Sequence, residues 1–137
     1  MQKNLVRTVC LLACLAVALP VFALQRGAAA ADPISGTWTG DWGPSAADRN
    51  TVTVDLKFDG KALTGTVHSV NFQRPDVALK NSTFDPKTGA VHMEADVPGA
   101  RGGPAVHFVI DGKLANGTMT GSWNHGTVKG DFKLTKK

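Results

Sequence analysis

Tyrosine is absent from this chain of 137 residues, and cysteine occurs only at Cys10 and Cys14. The chain beyond residue 31 therefore has no disulfide, no thiol nucleophile and no thiolate ligand for a metal. Nothing from Asp32 onward has the 3.6-residue period of a long amphipathic helix. No Gly-x-Ser-x-Gly, His-Glu-x-x-His or phosphate-loop pattern is present, so catalysis would need residues scattered along the chain. A basic surface is missing too. Lys3, Arg7 and Arg26 precede Asp32, and the basic residues that remain nearly balance the 11 acidic ones, all of which lie at or beyond it. No nucleic-acid partner is expected from that balance.

The one long apolar run lies at the start. Thr8 to Leu24 is uncharged, follows Lys3 and Arg7, and leads into small residues, the layout of a signal peptide. Val21-Phe22-Ala23 allows cleavage after Ala23, and Ala29-Ala30-Ala31 allows it after Ala31, just before the composition changes at Asp32-Pro33. The run is short of the roughly 20 residues of a spanning helix, so no stable membrane insertion is expected after cleavage. Leu11-Leu12-Ala13-Cys14 has the outline of a lipoprotein box, but apolar residues continue to Leu24 where a polar tether would begin. The expectation is a leader over residues 1–31 and a single domain over 32–137, exported to the periplasm or the medium.

What fills that domain is alternation. Val52, Val54, Leu56 and Phe58 share one face against Thr53, Asp55 and Lys57, and Val91, Met93 and Ala95 oppose His92, Glu94 and Asp96. One dry and one wet face is the pattern of antiparallel sheet over a core. Turn signals divide the chain into eight strands: Gly36–Trp42, Thr51–Phe58, Leu63–Val70, Val77–Phe84, Ala90–Asp96, Ala105–Ile110, Thr118–Trp123 and Thr127–Thr135. Phe58-Asp59-Gly60-Lys61 recurs as Ile110-Asp111-Gly112-Lys113, which suggests two halves of four strands each. Compact turns at Asp59–Lys61, Asp85–Gly89 and Asp111–Lys113 alternate with connections at Gly43–Asn50, Asn71–Asp76, Val97–Pro104 and Asn124–Gly126. In an up-and-down meander these two sets lie at opposite ends, and closure into a barrel removes the exposed edges.

Gly36-Thr37-Trp38 opens the first strand, and here the chain resembles the calycin-type barrels: lipocalins, fatty-acid-binding proteins and avidins. The resemblance implies an eight-stranded all-β barrel whose Trp38 plugs one end, covered by a basic residue of the last strand, Lys129 or Lys133. Ala62-Leu63-Thr64-Gly65-Thr66 is similar to a later avidin strand, but without tyrosine the aromatic box that holds biotin is not visible. The resemblance carries the fold and not the ligand.

Candidate site residues cluster by connection. Arg49, Arg74 and Arg101 each fall in a different long loop, with His125 in the fourth connection at that end. Forked guanidinium donors around one mouth would suit a carboxylate, sulfate or phosphate group. Trp38, Trp42 and Trp123 lie in glycine-flanked strands and are read either as rings packed over missing side chains or as walls of a ligand pocket. A symmetric hairpin around Val97 to Pro104 pairs position 92 with position 107, making His92 and His107 the metal candidates, although a built site needs three or four ligands. No cofactor is expected. Asn81-Ser82-Thr83 and Asn116-Gly117-Thr118 match the glycosylation sequon, which matters only on a eukaryotic secretory route. The functional expectation is an exported, non-enzymatic barrel for a partly apolar and anionic small molecule. Two others stay open: a filled-core envelope module contacting protein or polysaccharide, and a small barrel-type isomerase or cyclase. Oligomeric state is not legible.

Overall fold

The computed structural model describes residues 32–69 and 75–137. Its eight strands are β1 (Gly36–Gly43), β2 (Asn50–Phe58), β3 (Leu63–Ser69), β4 (Val77–Phe84), β5 (Ala90–Val97), β6 (Val106–Ala115), β7 (Thr118–His125) and β8 (Val128–Lys136). Each pairs antiparallel with the next, and β1 pairs with β8, closing an up-and-down barrel in the expected order. Because the strands alternate in direction, the short turns after β2, β4 and β6 share one end, and the connections after β1, β3, β5 and β7 share the other.

The alternation read in β2 is the one observed: Val52, Val54 and Leu56 are buried, while Asp55 and Lys57 are exposed. Phe132 is buried, whereas Phe58, read on the dry face with Val52, Val54 and Leu56, and Phe108 are only half-buried. β4 needs a correction of its parity. Val77 and Leu79 face inward at odd positions, yet Ser82 and Phe84 are buried at even ones. A register shift between Lys80 and Thr83, with Asn81 at φ 42°, absorbs the extra residue as a β-bulge.

Two other expectations fail at β6. Asp111-Gly112-Lys113 is no turn: Asp111 pairs with His92 and Gly112 with Val91, and the strand runs on to Ala115. The hairpin turns instead at Asn116-Gly117, with φ of 52° and 71°, as an Asn-Gly pair favours. The repeat Phe58–Lys61/Ile110–Lys113 is thus a likeness of letters without a shared structure. Gly112 is required for another reason, since a Cβ there would lie 2.7 Å from Cζ of Phe132.

The closed end is sealed by the segment before β1. Ile34 and Trp38 are fully buried, and Trp38 Nε1–H donates to the Ile34 carbonyl at 2.7 Å. Asp32 accepts from the backbone N–H of Ile34 and Ser35 at 3.1 and 3.0 Å, and Ser35 Oγ accepts from Phe58 N–H at 2.7 Å. Trp38 is the plug, but the cation over it is Lys136, its register partner on β8, with Nζ 5.9 Å from the ring centroid. Lys129 and Lys133 do not reach this position: Lys133 pairs with Asp41 and Lys129 with Asn124, further toward the other end.

Candidate ligand-binding site

The lower half of the barrel is packed and the upper half is hollow. A cavity of about 360 Å³ is walled by inward residues of all eight strands and is almost wholly apolar. Its two sides differ. Trp42, Phe108, Trp123, His125 and Phe132, from β1 and β6 to β8, form an aromatic wall, and Val52, Val54, Val67, Val77 and Leu79, from β2 to β4, form a branched aliphatic one. The aromatic wall is built edge to face: Trp42 meets Trp123 at 5.0 Å and 76°, and Phe108 at 6.1 Å and 85°. Trp123 lies close over Gly130, where a Cβ would come within 2.6 Å of its ring, and donates from Nε1 to the Asp131 carbonyl at 3.1 Å. His125 is 4.6 Å from Phe108 and nearly parallel to Trp123 at 5.9 Å.

The candidate residues part company here. Trp42, Trp123 and His125 line the cavity together, whereas Trp38 belongs to the closed end. Arg49 lies against the outer wall. Its Nε donates to Asp41 at 2.8 Å and its terminal nitrogens reach Asp41 and Asp131, locking β1 to β8. Arg101 sits exposed in the 3-10 turn Ala100–Gly102, and Arg74 lies outside the described residues. Ala95, read in the sequence only as core, is cavity lining, and so is Phe108.

His92 and His107 do not face one another. Pro98 and Pro104 lack the N–H that a ladder needs, so pairing begins at Val97↔Val106 and sets His92 opposite Asp111 and His107 opposite Asp96. Both rings are on the outer face. His92 Nδ1 is 2.6 Å from Asp111, His107 Nδ1 is 2.7 Å from Asp96, and Glu94 lies between them at 3.3 and 3.8 Å from their Nε2 atoms. Among the described residues no group of three or more His, Cys, Asp and Glu is placed to hold a metal ion.

Among the described residues β3 and β4 pair only through Thr66↔Ala78 and Val67↔Val77, which leaves a gap in the ladder beside the cavity. His68 spans that gap outside, with Nδ1 2.8 Å from Asp76 and Nε2 3.0 Å from Asp55, which also accepts from Thr37 Oγ1. Hydrogen bonding to Asp76, then to Asp55, raises the His68 pKa above its ordinary 6.5, and Asp111 does the same for His92. A raised folded value means stabilisation that is complete below pH 6.5 and lost as the pH climbs through the folded pKa. Asp55, Glu94 and Asp96 are lowered, chiefly by Thr37, Asn81 and Lys80 respectively, and their contribution disappears only as the pH falls through their folded values. The melting temperature is therefore expected to peak between about pH 4.5 and 6.5 and to decline modestly toward pH 8, since half-exposed pairs are screened. Thermal melts of wild type and of a His68→Gln, His92→Gln double variant check this. A wild-type profile that rises from pH 6 to 8 contradicts the clamps.

No protein-family model matches the chain, and no curated protein sequence does. Among solved structures, a single-residue mutant of the fluorescent protein UnaG is similar over 77% of this chain and 96% of its own, at 11% identity and a TM-score of 0.50. The fold is calycin-like. Apo lipid binding protein 8 of Caenorhabditis elegans has the same coverage, 77% and 96%, at 14% identity and a TM-score of 0.47. At such identities the likeness concerns the fold alone.

Proposed function

We propose that the protein is an exported, non-enzymatic barrel that binds a compact, largely apolar small molecule in the upper half of its interior. The observation that carries this reading is the cavity. Protein interiors are ordinarily filled to the density of organic crystals. Here about 360 Å³ beside the inward side chains is left for another molecule to fill. The size falls at the small end of ligand sites, roughly 300–1,000 Å³. A filled-core module that acts only through its exterior has no use for such a space.

Export rests on the leader composition of residues 1–31. Cleavage after Ala31 leaves Asp32 in place to hold the turn that closes the lower end. Protein recovered from the periplasm or medium of its own host is expected, by native mass spectrometry, to begin between Leu24 and Asp32 and to carry a small-molecule adduct that denaturation releases. A chain beginning at Met1 or Cys14 overturns the export reading. An exported chain without adduct, which also fails to take up the uncharged fluorophore N-phenyl-1-naphthylamine, overturns the binding reading.

A further inference from the structure

Among the described residues the polar groups of the cavity are few, and two of them border the same rings. Trp42 and His125 flank the same pair of rings, Phe108 and Trp123. The indole N–H of Trp123 is already used by the Asp131 carbonyl. The Trp42 N–H and the His125 imidazole have no hydrogen-bond partner among the described residues, although both side chains line the cavity and are half-buried. Polar groups in such a place are ordinarily satisfied, and a ligand is one way to satisfy them. A neutral imidazole always offers one N–H, and an indole offers only a donor.

Charge narrows the choice. Among the described residues no lysine or arginine lines the cavity, and Arg49 is engaged with Asp41 and Asp131 on the outer wall. A carboxylate drawn inside would lose its hydration without meeting a fixed cation, which is costly, whereas a carbonyl needs only one or two donors. The surroundings of those donors are flat rings on one side and branched aliphatic side chains on the other. A planar body lying along the aromatic wall gains face and edge contacts that a flexible alkyl chain does not.

Resting on the binding reading above, we propose that the cavity selects an uncharged, compact aromatic molecule bearing a single acceptor oxygen, a ketone, aldehyde or ester, which Trp42 Nε1–H and His125 hold at the mouth. The proposed ligand is neutral, where the arginine positions suggested an anionic one. His125 and Trp42 set specificity, and the rest of the cavity sets size.

Three probes with one ring system test this by isothermal titration on the full mature chain: 2-acetylnaphthalene, 2-ethylnaphthalene and 2-naphthoate. The ketone is expected to bind about tenfold tighter than the hydrocarbon, the factor that one or two ordinary hydrogen bonds supply. The naphthoate should bind more weakly than the ketone. In His125→Phe and in Trp42→Phe, which keep a ring in place, the ketone preference should shrink to about threefold or less, and in the double variant it should vanish. Binding of 2-ethylnaphthalene should persist in all variants, showing that the barrel and cavity are intact. Equal affinity for ketone and hydrocarbon in wild type overturns this inference and leaves the binding reading standing, as does naphthoate binding tightest. Retention of the full ketone preference in the double variant also overturns it. Failure of all three probes to bind overturns both.

Discussion

Replacing Trp38 with alanine is expected to lower the unfolding free energy by about 3–5 kcal/mol, while leaving ligand affinity of the folded fraction nearly unchanged. The ring is fully buried between Ile34 and the end of β8, and its N–H satisfies the Ile34 carbonyl. Alanine removes the plug and the donor together, and the segment Asp32–Ser35 has nothing else of that size to lie on. The loss is large for a single small domain, whose whole margin is about 5–15 kcal/mol. Trp42→Ala is the comparison. That ring borders open space and is only half-buried, so less packing disappears with it, but the aromatic wall is broken and binding should suffer instead. Urea unfolding of both variants, beside Lys57→Ala as an exposed reference within about 0.5 kcal/mol of wild type, reads the difference. Equal losses for Trp38 and Lys57 would remove the plug from the account of the closed end.

The architecture was legible because it is written in periods and turns. Strict alternation in β2 and β5 could serve only strands with one buried face, and loops of alternating length could serve only a meander with two unlike ends. Failures occurred where position depends on register. The slip in β4 is visible in principle, since Leu79 and Phe84 have opposite parity and both are large and apolar. A bulge with Asn81 in the left-handed region is the one arrangement that buries both. Asp111-Gly112 has the letters of a turn, but Asn116-Gly117 five residues on is the better one, and taking it lengthens β6 to Ala115.

The candidate site was legible only in part. Which end carries the longer connections followed from loop lengths, and that reasoning put His125 there, whereas Trp42 and Trp123 were read only from their glycine-flanked strands. The fate of Arg49 was hidden, because its partners sit 8 and 82 residues away on strands that meet only when the barrel closes. A cavity is harder still to read, because it belongs to no residue. It arises where β2 to β4 present valines and a leucine across from β5, where the small Ala95 lies between the inward Met93 and Val97.

Ala95 accordingly gives the sharpest test of where ligand sits. It is buried on β5 between Leu79 of β4 and Phe108 of β6, and it faces the cavity. Ala95→Phe projects a ring into existing space, so the strain of about 1–3 kcal/mol usual for overpacking a filled core should be largely absent. The added apolar contact should hold the melting temperature at or above that of wild type. The ring would occupy much of the volume available to a ligand, and affinity for N-phenyl-1-naphthylamine and for any native adduct should fall by at least about a hundredfold, some 2.7 kcal/mol. Ala115→Phe, on the exposed end of β6, adds the same ring outside and should change neither quantity. Titration and thermal melts on the two variants separate the possibilities. A folded Ala95→Phe protein that binds as wild type does would place the ligand outside the barrel, because no molecule of useful size could share the remaining space with that ring.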